Sequence, residues 1–153
     1  RDTDRSRGLG DVYKRQAYIH SAGKTQDVSQ VWSNLGEQDA FLESMAASAQ
    51  AVADYFGDKI LYINVMNNLS IDCDCDAHPH DPEMKDIGIL ASLDPVALDQ
   101  ACLDLVHAVR PSEGNNSKPL IERIKSRNGQ HTVDHAERIG MGSKKYELVE
   151  LQL

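Results

Sequence analysis

The chain has 153 residues and a formal net charge of −8, with 24 acidic and 16 basic side chains. A chain this acidic repels phosphate backbones, so we expect no nucleic-acid partner. The apolar runs are far shorter than a bilayer requires, which predicts that no segment spans a membrane. The length is typical of one domain or of the larger part of one.

The first residues have an unusual origin. Residues 7–16 read RGLGDVYKRQ and show no apolar period. The codons CGT GGG CTC GGA GAT GTG TAT AAG AGA CAG encode this stretch, and they spell the adapter used in transposase-based sequencing libraries. We therefore interpret residues 1–16 as a translated adapter, expected to be disordered, and exclude them from the fold. The genuine chain is then expected to start at Ala17, without its own N-terminus.

Helix and strand signals alternate through residues 37–109. Apolar side chains recur every three or four residues between Glu37 and Gly57, which predicts an amphipathic helix with a glycine at its end. The β-branched run 60–65 is typical of a buried strand in a parallel sheet, and 87–91 predicts a second strand. Asp94 suits the N-cap of the next helix, and Pro95 suits its first position.

The remaining segments complete an α/β domain in residues 17–153. Residues 17–36 predict a loop or strand remnant, in which Trp32 is interpreted as a packing anchor. Two short helices, each ended by a glycine, are predicted at residues 120–129 and 132–140. A closing strand is predicted at 146–152. The expected architecture is a sheet with helices packed over it, incomplete at its N-terminal side.

The segment DCDCDAHPHD, residues 72–81, concentrates metal-binding side chains. If it is extended, Cys73 and Cys75 point to the same side and can bind one soft metal ion. His78 and His80 could then complete a tetrahedral zinc set. This spacing is not a standard zinc motif, and the flanking carboxylates raise thiol pKa values, so a solvated acidic loop remains the alternative.

The third cysteine, Cys102, lies on the apolar stripe of the helix that follows Asp94 and is interpreted as a small buried residue. A conventional [4Fe–4S] cluster takes four cysteines, so this chain alone does not provide its ligands. Three cysteines also do not form a disulfide framework, which predicts a reducing compartment, the cytoplasm.

Carboxylates near the predicted strand-to-helix turn form a second candidate site. Asp94 and Asp99 lie where α/β folds often place a ligand, so a cofactor-binding role with a hard cation such as Mg²⁺ is one interpretation. The other interpretation is that these two carboxylates cap the helix or lie exposed on the surface. Asp134, His135 and Glu137 lie on a short polar helix and are interpreted as a solvated face.

The motif from the cysteines to the following helix resembles the domain-of-unknown-function 362 family, often labelled uncharacterised iron–sulfur-centre proteins. The resemblance rests on the family pattern of an Asn-rich turn, Asp-Cys-Asp-Cys, Asp-Ile-Gly and Asp-Pro-Val-Ala. It covers nearly all of residues 32–150. Here the motif occupies 67–68, 72–75, 86–88 and 94–97, followed by Asp99.

The resemblance names a relative without giving a mechanism. Many members carry a ferredoxin-like Cys-x-x-Cys-x-x-Cys insert upstream of the part seen here and are presumed to bind [4Fe–4S] clusters. The leading hypothesis is therefore a cytoplasmic iron–sulfur or metal-binding protein that passes electrons to a redox partner protein, with Cys73 and Cys75 in a metal site. The rival hypothesis is a non-redox α/β enzyme or binding domain with an acidic divalent-cation site. The substrate and the oligomeric state are left open.

Overall fold

The computed structural model of the chain describes residues 16–72 and 78–151. Helical residues 16–20 lead into a 3-10 helix, Val28–Ser33. Four α-helices and two strands follow, in the order α1 Gln38–Phe56, β1 Tyr62–Met66, β2 Gly88–Ser92, α2 Pro95–Ala108, α3 Lys118–Ser126 and α4 Gln130–Arg138. The mixed α/β class predicted from the sequence is confirmed. No helix in the described ranges is long and apolar enough to cross a membrane.

Local end signals define the two long helices. Helix α1 begins after Glu37 and ends at Gly57, whose positive φ of 58° suits a residue without a Cβ. Helix α2 begins at Pro95, and its N-cap Asp94 accepts the N–H groups of Val96 and Ala97 at 2.8 and 3.1 Å. Both predicted ends are therefore confirmed.

Helix α2 lies between two apolar clusters. On one side, α1, α2 and α4 bury a cluster of small and branched side chains, namely Ala46, Val96, Val133 and Ala136. On the other side, Met66 and Met84 meet Val106, with Leu120, Ile121 and Ile124 of α3 packed against them. The C-terminal helices thus complete both halves of the core.

The two strands pair antiparallel, with Ile63 opposite Ala91 and Val65 opposite Ile89. The prediction of a buried parallel strand over 60–65 is therefore wrong. Parallel neighbours need a long crossover, usually a helix, whereas the connection over 67–87 is not helical where the structure describes it. One face of the hairpin packs on α2 and the other is open, with Ile63, Val65 and Ile89 between 56% and 71% exposed.

Three smaller predictions are also corrected. Residues 146–151 form no strand, and an alternating pattern without a neighbouring strand to pair with does not make one. Trp32 is 78% exposed, so it is not a packing anchor in this structure. Residues 17–36 contain helical turns where a loop or strand remnant was predicted. The two short helices expected before the C-terminus are present as α3 and α4.

Candidate functional site

The predicted metal-binding segment lies in the connection between β1 and β2. Cys73 and Cys75 fall in residues 73–77, outside the described residues. The flanks of that segment are described, and Asp72 and His80 meet there. The Oδ2 atom of Asp72 accepts the backbone N–H of His80 at 2.9 Å and lies 2.6 Å from His80 Nδ1. The two ends of the cysteine segment are therefore held together.

Two further contacts reinforce this closure. The Ser70 hydroxyl donates to the carbonyl of His80 at 2.8 Å, and Arg123 of α3 places a guanidinium nitrogen 3.5 Å from Asp72 Oδ1. The pKa of Asp72 is lowered, first by the backbone and side-chain hydrogen bonds from His80 and then by the nearby positive charges. Asp72 is therefore an ionised carboxylate that only accepts hydrogen bonds.

The closure also fixes the orientation of the His80 ring. Because the ionised Asp72 cannot donate, the Nδ1 atom of His80 must carry the proton in this contact. In metal sites, a histidine that donates one ring N–H to a carboxylate coordinates through its other nitrogen. His78 and His80 both lie on the exposed flank of the cysteine segment. His78 and His80 therefore lie beside the cysteine segment, whose residues 73–77 are outside the described part of the chain.

Cys102 is partly buried and packs against the protein core. Its sulfur accepts from Asn64 Nδ2 at 3.4 Å, and the side chain packs beside the cluster of Met66 and Val106. Burial raises the pKa of the Cys102 thiol. The interpretation of Cys102 as a small packing residue fits this position, although the side chain is only partly buried. A neutral thiol is a poor metal ligand.

The carboxylates at the strand-to-helix turn engage separate partners. Asp94 Oδ1 caps α2, and its Oδ2 accepts the N–H of Ser143 at 2.8 Å. Asp99 accepts from Asn64 Nδ2 at 2.9 Å. Among the described residues, no three of the acids around this turn come close enough to hold one ion. The capping role predicted for Asp94 is confirmed.

A different cluster was missed from the sequence. Glu43 of α1 meets His131 and His135 of α4, and one ligand atom from each lies within 4.8 Å of the other two. The interpretation of His135 as part of a solvated face is wrong, since its side chain is only 15% exposed. The four-residue spacing of the two histidines puts them on one helix face and was a usable signal. Nothing local to Glu43 indicated that it would join them.

Comparison with protein-family models identifies a family for this chain. A family model described as "Domain of unknown function (DUF362)" matches residues 8–104, which is more than half of the chain. The matched range starts at Gly8 and so overlaps the segment interpreted as adapter. No curated protein and no solved structure matches the chain.

Proposed function

The chain belongs to the DUF362 family, and from that premise we propose that it is a metal-binding protein whose Cys73-x-Cys75 segment holds a soft metal ion such as zinc. The observation that carries this proposal is the contact between Asp72 and His80. It closes the segment that contains both thiols and orients the imidazole of a third candidate ligand. His78 is the fourth candidate.

The donor chemistry fits a single ion better than a cluster. Two thiolates and two imidazoles form a set that zinc accepts in tetrahedral geometry. A [4Fe–4S] cluster usually needs four cysteines, and Cys102 is held in the core by its packing and by Asn64. The residues of this chain therefore do not fit such a cluster.

The proposal extends to a redox role in the complete protein. An iron–sulfur cluster ligated by cysteines outside this chain would pass electrons to a partner protein in the cytoplasm, and the Cys73-x-Cys75 segment would serve as a metal site beside it. The support for this role is that members of the family whose motif this chain carries are often labelled iron–sulfur-centre proteins. The test is to measure the iron content of the anaerobically prepared full-length protein. Iron bound in addition to any zinc at Cys73 supports the redox role.

An acidic Mg²⁺ site at Asp94 and Asp99 is the alternative proposal, in which the chain is a non-redox enzyme or binding domain. The structure gives it less support, because both carboxylate oxygens of Asp94 already accept backbone N–H groups. A magnesium-dependent rise in melting temperature that Asp94→Asn removes would favour it.

Cobalt substitution tests the thiolate site directly. Co²⁺ bound by thiolates shows an intense near-ultraviolet charge-transfer band, which nitrogen and oxygen ligands do not produce. We expect the reduced chain to show this band and the C73S/C75S variant to lose it. The matched control is Cys102→Ala, which removes a thiol from the core and should leave the band unchanged. Absence of the band in the folded wild-type chain would refute the proposal.

A further inference from the structure

A second constellation of metal-binding side chains lies between α1 and α4. Glu43 Oε1 is 3.0 Å from His131 Nε2 and 3.3 Å from His135 Nδ1. The two imidazoles stack at a tilt, with ring centroids 6.3 Å apart. None of the three residues belongs to the β1–β2 connection or carries sulfur, so this cluster is independent of the function proposed above.

Two of the three separations between these ligand atoms match those of a small tetrahedral metal centre. Zinc bonds of about 2.0–2.1 Å place neighbouring ligand atoms roughly 3.3 Å apart at tetrahedral angles. The separations from Glu43 Oε1 to His131 Nε2 and to His135 Nδ1 are close to that value, and the two histidine nitrogens lie within 4.8 Å of each other. Two histidines and one carboxylate are also a ligand set that zinc uses when a fourth position holds water.

A buried polar atom points to the same conclusion. The Nδ1 atom of His135 is fully buried and has no hydrogen-bond partner among the described residues, although it lies 3.3 Å from Glu43 Oε1. A buried nitrogen without a partner is costly, and each such atom calls for an explanation. A metal ion bound to this nitrogen, to His131 and to Glu43 would satisfy it.

Arg138 also faces the carboxylate of this cluster, with Nη1 3.6 Å from Glu43 Oε1. A divalent ion bound at Glu43 would repel this guanidinium. Because Arg138 is 59% exposed, its side chain can turn towards solvent when the ion binds.

We propose that Glu43, His131 and His135 form a binding site for a divalent metal ion of the zinc class. The ligand atoms are Oε1 of Glu43, Nε2 of His131 and Nδ1 of His135, and the fourth position is available to water. Because the ligands come from two helices far apart in the chain, the bound ion stabilises the packing of α1 against α4. Metal binding at this site therefore raises the stability of the whole fold.

The test uses the full chain with C73S/C75S, which removes the thiolate site and separates the two proposals. At zinc concentrations a hundredfold above the dissociation constant, we expect a rise in melting temperature of about 5 °C or more. Bound Co²⁺ should show ligand-field bands without the thiolate charge-transfer band. Glu43→Gln and His131→Gln, each added to this background, should remove the temperature rise and the cobalt bands. His107→Gln, an exposed histidine on α2, should retain both.

Two results would overturn the proposal. The first is a folded C73S/C75S chain with neither a zinc-dependent temperature rise nor cobalt bands. The second is a rise that persists unchanged in both Glu43→Gln and His131→Gln, which would place the ion elsewhere. If a variant is too unstable to measure, the cobalt spectrum of the C73S/C75S chain still decides whether a site of nitrogen and oxygen ligands exists. Absence of the thiolate band in the wild-type chain is a separate result, which would contradict only the proposed site at Cys73 and Cys75.

Discussion

Glu43 and His131 are 88 residues apart in the chain, yet Oε1 of the first lies 3.0 Å from Nε2 of the second. The contact joins α1 to α4 across the same helix pair that buries Ala46 against Val133 and Ala136. The pKa of Glu43 is lowered, first by its hydrogen bond with His131, so the carboxylate is ionised. Among the described residues, Glu43, His131 and His135 are the group of side chains whose ligand atoms lie close enough together to hold a metal ion.

The N-cap of α2 also anchors the C-terminal segment, which gives a stability prediction. A Cβ added at Gly142 would overlap the Oδ1 atom of Asp94 and lie 2.7 Å from its Cγ. This carboxylate cannot easily move, because it accepts the N–H groups of Val96, Ala97 and Ser143. We expect Gly142→Ala to lower the free energy of unfolding by about 1–2 kcal/mol, similar to the loss of a helix cap. Urea denaturation measures this change.

A double-mutant cycle identifies the cause. Asp94→Ala removes the atoms with which the new Cβ would collide, so Gly142→Ala should cost much less in that background. Equal costs of Gly142→Ala with and without Asp94 would show that the glycine is required for some reason other than this contact.

The hydroxyl of Tyr146 gives the stability a dependence on alkaline pH. It donates to Asp104 Oδ2 at 2.7 Å, and this hydrogen bond, followed by burial and by the aspartate charge, raises the pKa of Tyr146 above its ordinary value of 10.0. The folded state therefore holds the phenol proton more tightly than the unfolded state does. The contribution is fully present below pH 10 and is lost as the pH rises through the folded pKa.

Tyr146→Phe should remove this alkaline dependence. Because Tyr146 is 40% exposed, the effect is small, about 0.5 kcal/mol or less. We expect the urea midpoint of the wild-type chain to fall more steeply between about pH 9 and pH 11 than that of the variant. Lys144 titrates in both proteins and cancels from the comparison. Parallel curves would show that the Tyr146–Asp104 contact does not contribute in solution.

The ionised Asp72 is expected to support metal binding without being a ligand. If it orients the His80 ring as the 2.6 Å contact indicates, Asp72→Asn should weaken zinc binding at the thiolate site by about tenfold to a hundredfold. Asp81→Asn removes the same charge from a neighbouring position and is the matched control. Competition with a chromophoric chelator measures both affinities. An equal loss in the two variants would attribute the effect to overall charge rather than to His80.

The open face of the hairpin predicts self-association. Val65 and Ile89 are cross-strand neighbours, and their side chains are 59% and 71% exposed. Adjacent apolar side chains on a two-stranded sheet with unpaired edges favour contacts between molecules. We expect Ile89→Thr to lower the concentration-dependent light scattering of the chain. Tyr55→Thr removes an 83% exposed apolar side chain from α1 and should have little effect. Equal effects would show that association is not specific to the sheet.

The features that the sequence predicted well depend on neighbouring residues. The start of α2 follows from Asp94 and Pro95, which determine the cap and first turn without help from the rest of the chain. The end of α1 at Gly57 is equally local. For the same reason the four-residue spacing of His131 and His135 was visible in the sequence, although their partner Glu43 was not.

The features that the sequence did not predict depend on distant contacts. A run of β-branched residues at 60–65 identifies a strand but does not determine the direction of its neighbour, which depends on the chain between them. The alternating pattern at 146–152 forms no strand over the described residues 146–151, and Tyr146 instead contacts Asp104 on α2. Glu43 looks like any acidic residue of a surface helix until α4 packs against it. The cysteine site stays a prediction, since Cys73 and Cys75 lie outside the described residues.

The near-ultraviolet spectrum of the cobalt-loaded, reduced chain tests the central claim most directly. If Cys73 and Cys75 bind a soft metal ion, the spectrum contains a thiolate charge-transfer band that is lost in C73S/C75S and kept in Cys102→Ala. A folded wild-type chain that shows no such band at saturating Co²⁺ would contradict the account of this protein as a thiolate metal-binding member of its family.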